Sequence, residues 1–334
     1  MNLLVTGGAG YVGSHSVREL CAAGHRVVVL DNLKNGGHCA AVDPRATLVV
    51  ADLGDAAAVD RAFAEHHFDA VMHFAALLDV NESVREPLKY YRNNIAYTVS
   101  LLETMQRHGV RRFVFSSTCA TYGVPPKAPI TEDMPQQPIS PYGRTKLAVE
   151  WALRDASESW GLGATALRYF NASGAAADGT LGEDRTPEYH LIPLVLQVAL
   201  GQRDHIKIFG TDYPTPDGTC VRDYIHVEDL AAVHRRAVES QPEGLFRFYN
   251  VGTGRGVSVK ELIDVSRSVT GHPIPAFNAP RREGDPPELY ADPSKIIREL
   301  GWRPRYTDIR ETVSTAWQWH KSHPRGYATH SLPT

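Results

Sequence analysis

With 334 residues, 43% of them hydrophobic and 22% charged, the chain is long enough for one large domain plus a smaller one and has a globular composition. A formal net charge of -3 provides no global field for nucleic acid or an anionic membrane, so an anionic ligand must be met by local arginines. No apolar run reaches membrane-spanning length, Met1 leads straight into Asn2-Leu3-Leu4-Val5 without a secretory n-region, and Cys21, Cys39, Cys119 and Cys220 lack CxxC spacing, so a cytoplasmic protein with reduced thiols is expected.

Leu3-Leu4-Val5 reads as a short strand, followed by Thr6-Gly7-Gly8-Ala9-Gly10-Tyr11-Val12-Gly13 and then by the helical pattern of Val17, Leu20 and Cys21. Gly7, Gly10 and Gly13 fit a G-x-x-G-x-x-G loop, which lets the backbone approach a pyrophosphate at a helix N-terminus, where free amides favour negative charge. Arg26-Val27-Val28-Val29-Leu30 is a second strand ending in Asp31, near the position at which a carboxylate accepts both ribose hydroxyls of adenosine and repels a 2′-phosphate. NAD rather than NADP is therefore expected, although Lys34 stands close by.

Thr47 to Ala51 is a third strand, with Asp52-Leu53 placed to reach an adenine, and a helix follows from about Asp55 to His67. Ala70 to Phe74 is a fourth strand with the small residues Ala75-Ala76 at its mouth, and Asn93-Asn94 is read as the opening of a helix carrying Tyr97, Leu101, Leu102 and Met105. Phe113-Val114-Phe115 is a fifth strand ending in Ser116-Ser117-Thr118. Strands alternating with helices predict an α/β fold, a Rossmann-type doubly wound parallel sheet with ligand at the carboxyl ends of the strands.

Ser140-Pro141-Tyr142-Gly143-Arg144-Thr145-Lys146 starts another helix, since Ser caps free amides and Pro suits the first helical position. Tyr142 and Lys146 are four residues apart and share a helix face. An ammonium about 4 Å from a phenol is worth roughly 4 kcal/mol at an effective dielectric near 20, enough to bring the phenol's pKa from about 10 towards 7, where it can accept and return a proton. The bland alternative is a surface Tyr and Lys on a capped helix. His66-His67 and His320…His323 lack Cys or carboxylate at ligand spacing, and no metal is expected.

The glycine loop, Asp31-Asn32, Ser116-Ser117-Thr118 and Tyr142-x-x-x-Lys146 together resemble the extended short-chain dehydrogenase/reductase superfamily, and within it the UDP-galactose 4-epimerase family. The likeness runs over nearly the whole chain. It implies an NAD-binding domain over residues 1–171 and a mainly nucleotide-sugar domain over 172–334, with a segment near 220–252 packing back on the first. Phe74, Asn93, Tyr169 and the two serines join the implied cofactor contacts. Tyr142, Lys146 and Thr118 take the implied catalytic roles: Tyr142 removes the O4 proton while NAD takes hydride from C4, and the ketone returns to either face. Asn171, His190, Leu191, Lys207, Phe209, Arg222, Arg282, Asp285 and Leu289 fall in segments that resemble the family's sugar-nucleotide pocket.

The chemistry of those residues agrees. Arg222 and Arg282 can grip a diphosphate by bidentate contacts, Asp285 can accept from a ribose hydroxyl, and Phe209 can pack on uracil; the alternatives are surface pairing of the arginines with Asp223 and Glu283, and a core role for Phe209. Leu78 departs from the Lys that many relatives carry near the dinucleotide. Leu289 is intermediate at a position where size affects whether an N-acetylated sugar fits, so UDP-N-acetylhexosamines and UDP-uronates stay open as substrates. A nucleotide-sugar 4,6-dehydratase is disfavoured because Cys119-Ala120 replaces the Asp-Glu pair of such relatives, and a non-catalytic NAD sensor because Tyr142, Lys146 and Thr118 are all present. The resemblance further implies a homodimer formed by the Asn93 to His108 helix and the helix after Tyr142, and residues 327–334 read as a loose tail.

Overall fold

The computed structural model describes residues 1–282 and 284–327. In chain order the first half runs β1 (Asn2–Thr6), α1 (Tyr11–Ala22), β2 (Arg26–Asp31), β3 (Thr47–Val50), α2 (Ala56–His66), β4 (Ala70–His73), α3 (Val80–Arg85), α4 (Pro87–Tyr90), α5 (Tyr97–Arg107), β5 (Arg112–Thr118), α6 (Pro141–Trp160) and β6 (Gly163–Tyr169). The second half adds β7 (Asn171–Ser173), α7 (Leu191–Ala199), β8 (Ile206–Phe209), β9 (Val221–Arg222), β10 (Tyr224–His226), α8 (Val227–Glu239) and β11 (Phe246–Val251). It ends with β12 (Val257–Ser258), α9 (Val259–Thr270), β13 (Ala276–Ala279), β14 (Glu288–Leu289), α10 (Ser294–Leu300) and α11 (Ile309–Ser322).

Seven parallel strands form the central sheet in the order β3-β2-β1-β4-β5-β6-β11. The first six follow the doubly wound order, whose switch point between β1 and β4 opens a crevice at the strands' carboxyl ends. Because both faces are covered, the strands are almost uniformly apolar. On one face Val17 and Leu20 of α1 pack with Leu230, Val233 and Val238 of α8; on the other, Val59 and Phe63 of α2, Leu101 and Met105 of α5 and Val149 and Leu153 of α6 fill the core. The seventh strand, β11, comes from the second half and pairs along β6 from Phe246↔Ala164 to Val251↔Tyr169.

A smaller layer carries the rest. β9 pairs antiparallel with β12 and parallel with β14, and β8 pairs with β13. Helices α7, α9 and α11 pack behind them through Leu196, Leu262 and Val313. No described helix is long and apolar enough to cross a membrane.

Two expectations change. The helix read as opening at Asn93 begins at Pro87, and Tyr91–Ala96 is a π-helical turn inserted between α4 and α5. The turn lets Asn94 face inward, where its side chain accepts from Leu77 N at 2.9 Å and donates to Thr145 Oγ1 at 3.2 Å, tying the mouth of β4 to α6. The expected tail also starts docked: Tyr327 N donates to Asp184 Oδ2 at 2.8 Å and its hydroxyl meets the backbone of Gly182. Residues 328–334 lie outside the described residues.

Candidate active site

The glycine loop is shaped by close approach. Gly7 has φ +71°, and a Cβ there would lie 2.5 Å from Ala75 N; a Cβ on Gly13 would lie 2.1 Å from Gly7 O. Only glycine lets β1, the β4 mouth and α1 converge so tightly. A Cβ on Gly10 would touch only Gly7 O, at 3.4 Å, so this residue at the helix start is far less crowded than Gly7 or Gly13. Asp31 braces the loop by accepting from Ala9 N at 3.0 Å and Leu33 N at 2.8 Å, and it stays 8% exposed at the crevice. Burial raises its pKa against these amide bonds. Asn32 donates to Asp52 Oδ2 at 2.8 Å, joining the ends of β2 and β3.

These residues line one cleft of about 1900 Å³, which runs on into the second half of the chain. Gly7, Gly10, Tyr11, Val12, Gly13, Asp31, Asn32, Asp52, Leu53, Phe74, Ala75, Ala76, Asn93 and Tyr169 are in its wall, and so are Tyr142 and Thr118. Asn171, His190, Leu191, Lys207, Phe209, Arg222, Arg282, Asp285 and Leu289 line the same cleft. The glycine cradle, Gly10 in the cleft wall and the Asp31 carboxylate fit a dinucleotide carrying a free ribose diol.

Three expected contacts lie one layer back. Along β5 successive side chains alternate, so Thr118 reaches the cleft while Ser117 turns away and donates to Glu150 Oε1 at 2.6 Å. Ser116 Oγ meets Tyr169 OH at 2.6 Å, behind that tyrosine's exposed edge. Lys146, 4% exposed, donates from Nζ to Ser116 O at 2.7 Å. β5 and α6 are thus pinned together by polar contacts one helical turn apart.

Ser140 Oγ accepts from Gly143 N at 3.1 Å and Pro141 occupies the first turn, as the sequence predicts. The expected acidification of Tyr142 is opposed by burial, which raises its pKa; Tyr169 adds to this, and a hydrogen bond with Thr118 partly offsets it. Burial also pushes Lys146 down to about 7 against the charge of Glu150. The reason is that removing both groups from water disfavours ammonium and phenolate alike, which the sequence argument left out.

In the second half, β14 runs beside β9 with Leu289 opposite Arg222, so the two side chains share a face. Arg222 pairs with Asp285 at 2.7 Å rather than with Asp223, and Arg282 lies 4.0 Å from the centre of the Phe209 ring. Asp223 is instead fully buried and accepts from Thr253 N at 2.9 Å, Gly254 N at 3.3 Å and Ala291 N at 3.2 Å, fixing the loop after β11. Asn171 Nδ2 donates to Asp223 O at 3.0 Å.

The segment from Asp184 to His190 also lines the cleft and brings Arg185, Glu188 and Tyr189, which the sequence reading passed over as part of a connection. Its cluster of Arg185, Glu188, Tyr189 and His190 within six residues was the available signal. Glu183, Glu188 and His190 hold potential ligand atoms within 4.8 Å of one another. They satisfy each other: Glu183 meets His190 Nδ1 at 2.5 Å, and Glu188 accepts from the amides of Tyr189 and His190 at 2.7 and 2.8 Å.

Residues 3–252 match the model of the NAD dependent epimerase/dehydratase family. The chain is 52% identical over 330 residues, 98% of each chain, to a UDP-glucose 4-epimerase of Halalkalibacterium halodurans. A crystal structure of a UDP-glucose 4-epimerase superposes with a TM-score of 0.95 at 48% identity, covering 98% of this chain and 100% of that one. The UDP-glucose 4-epimerase of Bifidobacterium longum in complex with NAD+ and UDP gives 0.93 at 40% identity, with 98% and 100% covered. The chain belongs to the NAD dependent epimerase/dehydratase family, among its UDP-glucose 4-epimerases.

Proposed function

We propose that the protein interconverts UDP-glucose and UDP-galactose by inverting the hexose at C4, with NAD held over the glycine loop. The observation that carries this is that Tyr142 and Thr118 share one cleft with both the Gly7–Gly13 cradle and the Arg222/Arg282 wall. NAD bound there supplies the hydride acceptor for C4, the donor that returns hydride to the opposite face, and a ring charge that stabilises a nearby phenolate.

The chain's own residues do the rest. Asp31 accepts from the adenosine ribose hydroxyls, and the amides at the start of α1 face the pyrophosphate. The Tyr142 hydroxyl takes the proton from O4 and later gives it back, while Thr118 orients that oxygen. Lys146, anchored on Ser116 O, is the cation behind the phenol. Arg222 and Arg282 hold the sugar nucleotide by its diphosphate, Phe209 offers a ring to uracil, and Asn171, His190, Leu191, Lys207, Asp285 and Leu289 shape the remaining wall. Tethering by the diphosphate leaves the ketone free to rotate and present either face. Net redox change over a cycle is zero.

Incubating the purified protein with UDP-galactose and resolving UDP-glucose by chromatography tests the reading. Failure to form UDP-glucose, with no NAD released on denaturation, would overturn it.

The protein is also inferred to work as a homodimer in the cytoplasm. Val99 on α5 is 38% exposed and Trp151 on α6 is 55% exposed, apolar surface of the kind a second copy covers. Thiols at Cys21, Cys119 and Cys220 suit a reducing compartment.

A further inference from the structure

Arg185 stands on the dinucleotide side of the cleft. A Cβ built on Gly36 would lie 3.8 Å from Arg185 Cγ, and one on Gly37, the next residue, would lie 2.7 Å from Asp31 Oδ1. The stem of Arg185 therefore packs on the loop that closes over the ribose-binding carboxylate. Its charge is felt at the Tyr11 hydroxyl beside the glycine loop and at Tyr169. Arg185 itself lines the cleft.

Its guanidinium is matched only in part within the protein, where burial is opposed by Glu183, Tyr189 and Glu188, which favour the charge. The side chain is 11% exposed, and its ion pair with Glu183 is long, at 3.8 Å. Glu183 is already engaged by His190 at 2.5 Å. The ring of Tyr189 lies 4.8 Å from the guanidinium carbon and supports the plane, yet Nη1 is buried without a hydrogen-bond partner. An unmatched donor on a largely buried cation is costly unless something else accepts from it. The other arginines of the cleft wall considered above, Arg222 and Arg282, are assigned to the diphosphate of the sugar nucleotide.

The ligand side has the complementary need. The start of α1 offers amides and a partial dipole charge but no formal cation, and Leu78, which lines the cleft beyond the β4 mouth, brings none. A pyrophosphate carries two negative charges that a planar guanidinium matches well.

We propose that Arg185 is a dinucleotide-binding residue whose guanidinium, at the cleft wall, donates to the pyrophosphate oxygens of NAD, an inference that rests on the function proposed above. Because Arg185 belongs to the segment between β7 and α7, the dinucleotide is then gripped from both halves of the chain. The segment acts as a clasp on the cofactor as well as a wall for the sugar nucleotide.

The test is retention of NAD, read as exchange of bound NAD for labelled NAD in the full-length purified protein. A charge-assisted hydrogen bond of ordinary strength predicts that Arg185→Met exchanges about ten- to a hundredfold faster than the unaltered chain. Arg185→Lys, which keeps the charge, should recover most of the retention. Exchange in the Met variant equal to that of the parent overturns the proposal. So does a Lys variant as leaky as the Met variant, since that would assign Arg185 a role in shape rather than charge. A parent protein that carries no NAD and takes none up would instead bring down the proposed function and this inference with it.

Discussion

Glu150 of α6 and Arg168 of β6 meet as a two-pronged ion pair, with Arg168 Nε 3.0 Å from Oε1, Nη2 2.6 Å from Oε2, and both side chains 1% exposed. Ser117 and Tyr122 complete the group through bonds of 2.6 and 2.8 Å. Glu150 lies one turn beyond Lys146 and two beyond Tyr142, so the pair sets how α6 seats on the sheet. Arg168→Met strands a buried carboxylate and is expected to cost about 3–5 kcal/mol of stability. Combining it with Glu150→Gln should cost less than the two single changes added together. Urea unfolding of the three variants checks this; additive losses would mean the two residues are not coupled.

Tyr142→Phe removes the only hydroxyl assigned to the O4 proton. Turnover of UDP-galactose should fall by at least about 10²–10⁴-fold, the range for loss of a general acid-base group, while NAD content stays that of the parent. Near-normal turnover in this variant would move the proton chemistry elsewhere.

His73 gives stability a defined pH dependence. Its ring bridges Thr6 Oγ1 at 2.7 Å and Thr98 Oγ1 at 3.0 Å, and burial, helped by the charge of Lys146, pushes its pKa down to about 3. An unfolded imidazole titrates near 6.5, so below that pH the unfolded chain binds a proton that folded His73 refuses. Its contribution is whole above about pH 6.5 and is lost on acidification at about 1.4 kcal/mol per pH unit. His73→Asn should therefore be less stable at neutral pH but show a flatter loss between about pH 6.5 and 4. Unfolding free energies across that range decide it; an unchanged slope would clear His73 of the effect.

Leu289 shares a face with Arg222 in the cleft, so its bulk stands beside the residue assigned to the diphosphate. Leu289→Ala should raise turnover of UDP-N-acetylglucosamine relative to UDP-glucose by making room for the acetamido group. A ratio of rates that does not move would show that this side chain is not the size filter.

Trp151 is the most exposed aromatic on α6, at 55%. If α5 and α6 form the contact between copies, Trp151→Glu should convert the dimer to monomer in light scattering. A parent protein that already has monomer mass would remove the dimer from the proposal.

What could be read from the chain was what local spacing decides. The Gly7–Gly13 loop, Asp31 at the end of β2 and the capped start of α6 depend on residues close in sequence, and all three stand where the pattern predicted. The burial of Arg168, Glu150 and Asp223 was not legible, because an isolated charged residue looks the same on a surface as inside a matched pair. Nor was the Arg222–Asp285 bond, which depends on β9 and β14 being brought into register across 63 residues of sequence. Nor was the desolvation that raises the Tyr142 pKa, because charge spacing is written in the sequence and burial is not.

The pairing of β11 with β6 also bears on how the molecule is made. On the ribosome, β6 is finished long before β11 emerges, so β6 stands as an unpaired edge strand while the intervening loops and helices are still being translated. The first half alone is therefore a sticky product, and truncation after β6 should yield aggregates instead of a working cofactor module. Pairing β6 late links the birth of a stable nucleotide fold to delivery of the chain that will recognise the sugar.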